Sequence, residues 1–161
     1  WASLIDWQSG IGAAGHSMGG EVVSQLASTE FAQKYNVTAA VCEHCLMCIK
    51  KGDLVSTPAL FMTGTVDYEV SPKKVKGAYS LDQAAPKSYR NQKGKGHLEM
   101  LNLEVQYNPA VASHAAAFFN VWIKGDTDTY YNQIYGNGDD SLCGYAKMKE
   151  CEHDMGSSTV V

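Results

Sequence analysis

Residues 10–20 read GIGAAGHSMGG, and this stretch constrains the fold more than any other in the chain. Small and apolar residues run uninterrupted from Gly10 to His16, which suits a short buried strand. From Met18 to Ser28 the apolar residues Val22, Val23, Leu26 and Ala27 have the spacing of a helix packed on one face. Between the two sits Gly15-His16-Ser17-Met18-Gly19-Gly20, a G-x-S-x-G turn with an extra glycine behind it. Such a turn is sharp enough to force the serine into a strained backbone conformation. The glycines on either side let strand and helix approach without a Cβ clash. The Ser17 hydroxyl is then lifted at the C-terminal end of the strand. The helix beneath it offers unspent N–H groups and the positive end of its dipole. The Met18 N–H is the expected first donor to a developing oxyanion, with His16 supporting the turn.

The remaining pattern extends this unit. Val37–Cys42 and Pro58–Thr63 are two further short apolar runs. Lys87–Gln92 is a more polar one, expected nearer a sheet edge. Asn108–Lys124 reads as a helix, with Asn108 as N-cap, Pro109 in the first turn and Gly125 as the stop. Its expected inward stripe is Ala112, Ala116, Phe119 and Ile123. Trp1–Trp7 reads as the end of a preceding helix. Gly136–Met155 is polar and glycine-rich, and reads as an appended loop region outside the core. Strands and helices in this order imply an α/β fold, a mostly parallel sheet covered on both faces. One domain over 1–161 is expected, with 1–135 as core and 136–161 as a cysteine-bearing tail.

Composition narrows the partners. With 45% hydrophobic and 19% charged residues the chain is an ordinary globular mix, and no apolar run reaches the length of a membrane span. A net charge of −4 argues against a nucleic-acid partner. Lys73, Lys74, Lys76, Lys87, Arg90, Lys93 and Lys95 are read as solvated surface rather than as an anion-binding patch.

A serine hydroxyl is a poor nucleophile until a histidine takes its proton and an acid orients that histidine. After a nucleophile elbow the chain order is serine, acid, histidine. Asp67 follows the apolar run PALFMTG, just past a strand end, where ligands bind in parallel sheets. Its other reading is a loop aspartate capping the turn before Ser71-Pro72. His97 lies in GKGH, after the next strand, between glycines that let a loop reach back. His114 falls within the helix, and His44 and His153 lie in cysteine-bearing segments, so the catalytic set is Ser17, Asp67 and His97.

With these residues placed, the chain resembles the α/β-hydrolase family, and within it the dienelactone-hydrolase-like and polyester-hydrolase (cutinase, polyethylene-terephthalate hydrolase-like) branch. GIGAAGHSMGG, TPALFMTGTVDYEVSP, GKGHLEM and HAAAFFNVWIKGDTDTYYNQIYG carry the likeness. The resemblance implies hydrolysis of small or polymeric carboxylic esters through an acyl-enzyme on Ser17, with no metal or cofactor. It implies a disulfide between Cys143 and Cys151 and an extracellular, secreted setting. It also implies that the chain is the C-terminal half of the family's domain. The early strands and the second oxyanion donor would then be missing, and the exposed sheet edge would favour self-association. Amide or thioester cleavage, acyl transfer on the same triad, and an inactive fragment acting as an interaction module are the competing expectations. Cys42, Cys45 and Cys48 form C-x-x-C-x-x-C around His44. A local disulfide or free thiols is preferred there to a metal site.

Overall fold

The computed structural model describes residues 2–45, 57–81, 86–101, 107–145 and 147–155. Five strands form one sheet in chain order: β1 (Ile11–His16), β2 (Val37–Glu43), β3 (Ala59–Gly64), β4 (Lys87–Gln92) and β5 (Met148–Asp154). β1 to β4 run parallel, and β5 returns antiparallel to β4. The helices are α1 (Met18–Leu26), α2 (Thr29–Tyr35), α3 (Pro72–Leu81), α4 (Pro109–Lys124) and α5 (Thr127–Tyr135).

Alternation along the strands divides the core in two. Ala40, Cys42, Phe61 and Tyr89 face Val23 of α1 and Val75 of α3. Val41, Leu60 and Met62 face Val111 and Phe118 of α4 and Ile134 of α5. This is an α/β arrangement with helices on both faces, and the four parallel strands bring their C-terminal ends to one edge. Among the described residues no helix is long and apolar enough to cross a membrane.

Several expectations need correction. The helix after the elbow stops at Leu26, and Ser28, in extended backbone, opens a second helix that Asn36 ends at φ 52°. Where the end of a preceding helix is expected, the described residues 2–7 form a single 3-10 turn at Ala2–Leu4. Asn108 and Gly125 do bound α4: the Asn108 side chain accepts from the Ala110 N–H and Gly125 adopts φ 68°. The buried face of α4, however, is Ala110, Val111, His114, Ala117, Phe118 and Val121. Ala112 and Ala116 are exposed, while Phe119 and Ile123 flank β1, where a Cβ on Gly12 would strike both. The helix is apolar on nearly every side, so contact with the sheet, not hydropathy, selects the face.

β4 is not an edge strand. All six of its residues are buried, because β5 covers its outer side. The tail therefore supplies a strand of the sheet and is not merely an appended loop. A disulfide from Cys143 to Cys151, with Cα atoms 5.4 Å apart, ties β5 to the preceding turn. Arg90 lies at 0% exposure and leaves no charge for a surface patch, and Lys76 pairs with Glu152.

Candidate functional site

The turn between β1 and α1 holds Ser17 at φ 55° and ψ −120°. An L-residue with a side chain avoids this region at a cost of about 1–3 kcal/mol, and the surrounding structure must enforce it. Two glycines do so by close approach. A Cβ on Gly15 would collide with the Gly19 carbonyl, and one on Gly20 would lie 2.6 Å from the Cys45 Cβ. Gly19 itself has open space around it, so the tight positions are Gly15 and Gly20. The Ser17 N–H donates to the Glu43 carbonyl at 2.9 Å and fastens the elbow to the end of β2. Met18 is the first residue of α1, where N–H groups have no intrahelical acceptor.

Asp67 lies three residues past β3, buried at 4% exposure. Its two oxygens divide the two roles that its sequence position allows. Oδ1 accepts from the N–H groups of Glu69 and Val70, at 2.9 and 2.8 Å, and so caps the following turn. Oδ2 faces His97 Nδ1 at 3.0 Å. Burial works against the Asp67 charge, but hydrogen bonds from His97, Val70 and His44 outweigh it and hold the pKa below its ordinary value.

The loop carrying His97 is stapled to the acid loop by backbone. Thr65 N–H donates to Gln92 O, Val66 N–H to Lys95 O, and Gly94 N–H to Thr65 Oγ1. A Cβ on Gly64 would run into the Lys95 carbonyl, so the close seating of the two loops needs glycine there. The His16 ring, one residue before Ser17, donates from Nε2 to the His97 carbonyl at 2.6 Å, and the two ring centres lie 4.6 Å apart. Burial lowers the His16 pKa, which suits a neutral supporting ring.

The acid and the histidine are thus hydrogen-bonded, and the elbow stands beside them. Ser17 Oγ itself makes no hydrogen bond among the described residues. His97 Nε2, the nitrogen turned away from Asp67, lies 3.7 Å from the exposed carboxylate of Glu69.

A second histidine reaches the same acid. His44 Nδ1 lies 2.7 Å from Asp67 Oδ2, and its Nε2 lies 3.0 Å from Glu99 Oε1. Glu99 in turn faces Arg90 Nη2 at 3.5 Å and accepts from the Asn108 side chain through Oε2. Arg90 Nη1 donates to Gln92 Oε1 at 2.8 Å. His44, Arg90 and Glu99 are all fully buried. For Glu99, burial is outweighed by the His44 hydrogen bond and the Arg90 charge, leaving its pKa low. Next to His44, Glu43 has a buried oxygen without a partner, and burial, with the nearby Glu99 charge, pushes its pKa up to about 7.

A largely apolar cleft of about 380 Å³ lies on the α4 side of the sheet, bounded by Gly15, His16, Glu43, Met62, Tyr107 and Val111. It reaches the elbow through Gly15 and His16.

Donor atoms of His44, Asp67 and His97 converge within 4.8 Å of one another, as do those of Cys143, Cys151 and His153. In the first group the separations from Asp67 Oδ2 are those of hydrogen bonds. In the second the two sulfurs are bonded to each other. Of the cysteine cluster, Cys42 and Cys45 are buried, and the Cys42 thiol donates to the Gly20 carbonyl at 3.6 Å. Cys48 lies outside the described residues.

Ser17, Asp67 and His97 come to one end of the sheet, as the order along the chain implies. His44 and Glu99 were not singled out by sequence. The available signal was the polar pair Glu43-His44 directly after an apolar strand, at the same sheet edge as Asp67. No protein-family model and no curated protein matches this chain.

Proposed function

We propose that the protein is a serine hydrolase of the α/β-hydrolase class. More particularly, we read it as a carboxylic-ester hydrolase, whose motifs resemble those of the dienelactone-hydrolase-like and polyester-hydrolase branch. The observation that carries this is the backbone of Ser17, strained at φ 55° between a parallel strand and a helix, at the sheet end that holds the Asp67–His97 pair.

Ser17 Oγ attacks the ester carbonyl, and His97 Nε2 takes the hydroxyl proton. Asp67 Oδ2 holds the Nδ1–H of His97 and stabilises the imidazolium that forms. The Met18 N–H, at the start of α1, faces the oxyanion. His97 then gives its proton to the leaving alkoxide, which departs as alcohol and leaves an acyl-serine. Water, activated by the same ring, releases the acid and restores Ser17. The steps use only side chains, backbone and water. The Cys143–Cys151 bridge supports an oxidising, extracytoplasmic setting.

Turnover of p-nitrophenyl butyrate tests this reading. Ser17→Ala and His97→Ala are each expected to lower kcat about 10⁴-fold or more, with near-additive loss absent in the double variant. Equal turnover by Ser17→Ala and the unaltered chain contradicts the proposal.

A further inference from the structure

We propose that His44 is a positioning residue for the triad: a buried imidazolium that donates from both ring nitrogens, one to Asp67 and one to Glu99, and so holds the Asp67 carboxylate against His97. The inference rests on the hydrolase reading above but draws on different atoms.

The argument begins with a proton count. A neutral imidazole has one N–H, and its other nitrogen offers only a lone pair. His44 presents both nitrogens to carboxylate oxygens, at 2.7 and 3.0 Å. A lone pair facing a carboxylate oxygen at either distance is repulsive, so a second proton must lie in this cluster. The carboxylates do not take it. Asp67 already accepts four hydrogen bonds, two on each oxygen. Glu99 faces Arg90 with Oε1 and Asn108 with Oε2. Both are held in the charged form, and the proton resides on His44. Burial works against that charge, but the hydrogen bonds and charges of Glu99 and Asp67 outweigh it and raise the His44 pKa above its ordinary value.

The surroundings are consistent with a fixed cation. The groups facing His44 are Glu43 on its own strand, His16 from β1, Asp67 from the acid loop, His97 and Glu99 from the histidine loop, and Arg90 behind Glu99. Arg90 and His44 face Asp67 and Glu99, two charges against two, and Glu43 adds a third carboxylate charge only as pH rises through about 7. The backbone supports the placement too. His44 sits at φ 45°, in the left-handed region that a residue with a side chain avoids. It is anchored there by its N–H to the Met62 carbonyl at 2.8 Å. Strain of this kind persists where the direction of a side chain matters.

One consequence follows for the reaction. Asp67 Oδ2 receives one N–H from each histidine, so its carboxylate cannot swing away from His97 while His97 shuttles its proton.

The experiment has two arms. Ring ¹⁵N shifts of the full chain at pH 8 are expected to report both His44 nitrogens as protonated. A neutral ring, with one nitrogen unprotonated, overturns the proposal whether or not any variant folds. The second arm is the split of kcat from KM. His44→Leu, which removes both N–H donors, is expected to lower kcat by up to about 10²-fold with KM little changed, because Asp67 is no longer held against His97. His44→Gln, which keeps an N–H donor, is expected to recover part of that loss. Equal kcat in the three proteins at equal folding overturns the proposal. If the unaltered chain shows no serine-dependent turnover, the hydrolase reading fails. The ring shifts, which need no activity, still decide the state of His44 and tell the two failures apart.

Discussion

β1 and β4 lie on opposite sides of the β2–β3 pair and invert the usual relation between hydropathy and burial. β1, Ile11–His16, is built from small and apolar residues, yet every one of them is exposed or half-buried. Its outer side pairs with no strand among the described residues. β4 reads Lys-Ser-Tyr-Arg-Asn-Gln and is buried throughout. Part of its polar content is paired: Lys87 Nζ donates to the Tyr79 carbonyl, Ser88 meets His153, and Arg90 meets Gln92 and Glu99, while Arg90 Nε and Asn91 Oδ1 are buried without a hydrogen-bond partner. Position in the sheet decides burial, and paired charges make a polar interior strand tolerable.

The contrast is most easily broken at Arg90. Arg90→Ala removes the cation that faces Glu99 and leaves a buried carboxylate short of a partner, at a cost of about 3–5 kcal/mol. Urea unfolding at pH 7 measures it, and a loss below about 1 kcal/mol would mean that the network does not hold β4 in place.

Glu43 sharpens the comparison from the other side, because its buried oxygen lacks the pairing that Glu99 enjoys. Its pKa in the fold is about 7 against an ordinary 4.5. Ionising it therefore costs the folded state stability. The cost is absent below pH 4.5, grows as pH rises toward 7, and is fully present above that. Glu43→Gln is expected to stabilise by on the order of 3 kcal/mol at pH 8 and by almost nothing at pH 4.5. Thermal melts at the two pH values read the difference, and an equal gain at both contradicts it.

The smallest effect belongs to β1. Ile11 is 39% exposed at the start of that strand, and Ile11→Thr is expected to change stability by no more than about 0.5 kcal/mol in the same urea assay.

The same contrast explains what the sequence disclosed. The elbow was legible because its glycines answer to backbone geometry within a few residues: Gly15 must clear the Gly19 carbonyl, and Ser17 must bend. Asp67 and His97 were legible because each follows a strand, and parallel strands bring their ends to one edge. The cap at Asn108 and the stop at Gly125 are equally local. The interior place of β4 was not legible, since it depends on β5, whose residues pair with it from more than 50 positions away. His44 was hidden for the same reason, because its partners Asp67 and Glu99 lie 23 and 55 residues along the chain. The buried face of α4 was misjudged because nearly every face of that helix is apolar.

The central claim is that the elbow makes Ser17 a nucleophile through His97. Labelling with a fluorophosphonate probe, followed by peptide mapping of the adduct, tests it most directly. The expected result is a single adduct on Ser17 that is lost in His97→Ala at equal folding. An unlabelled Ser17 in the folded chain, or labelling indifferent to His97, would contradict it.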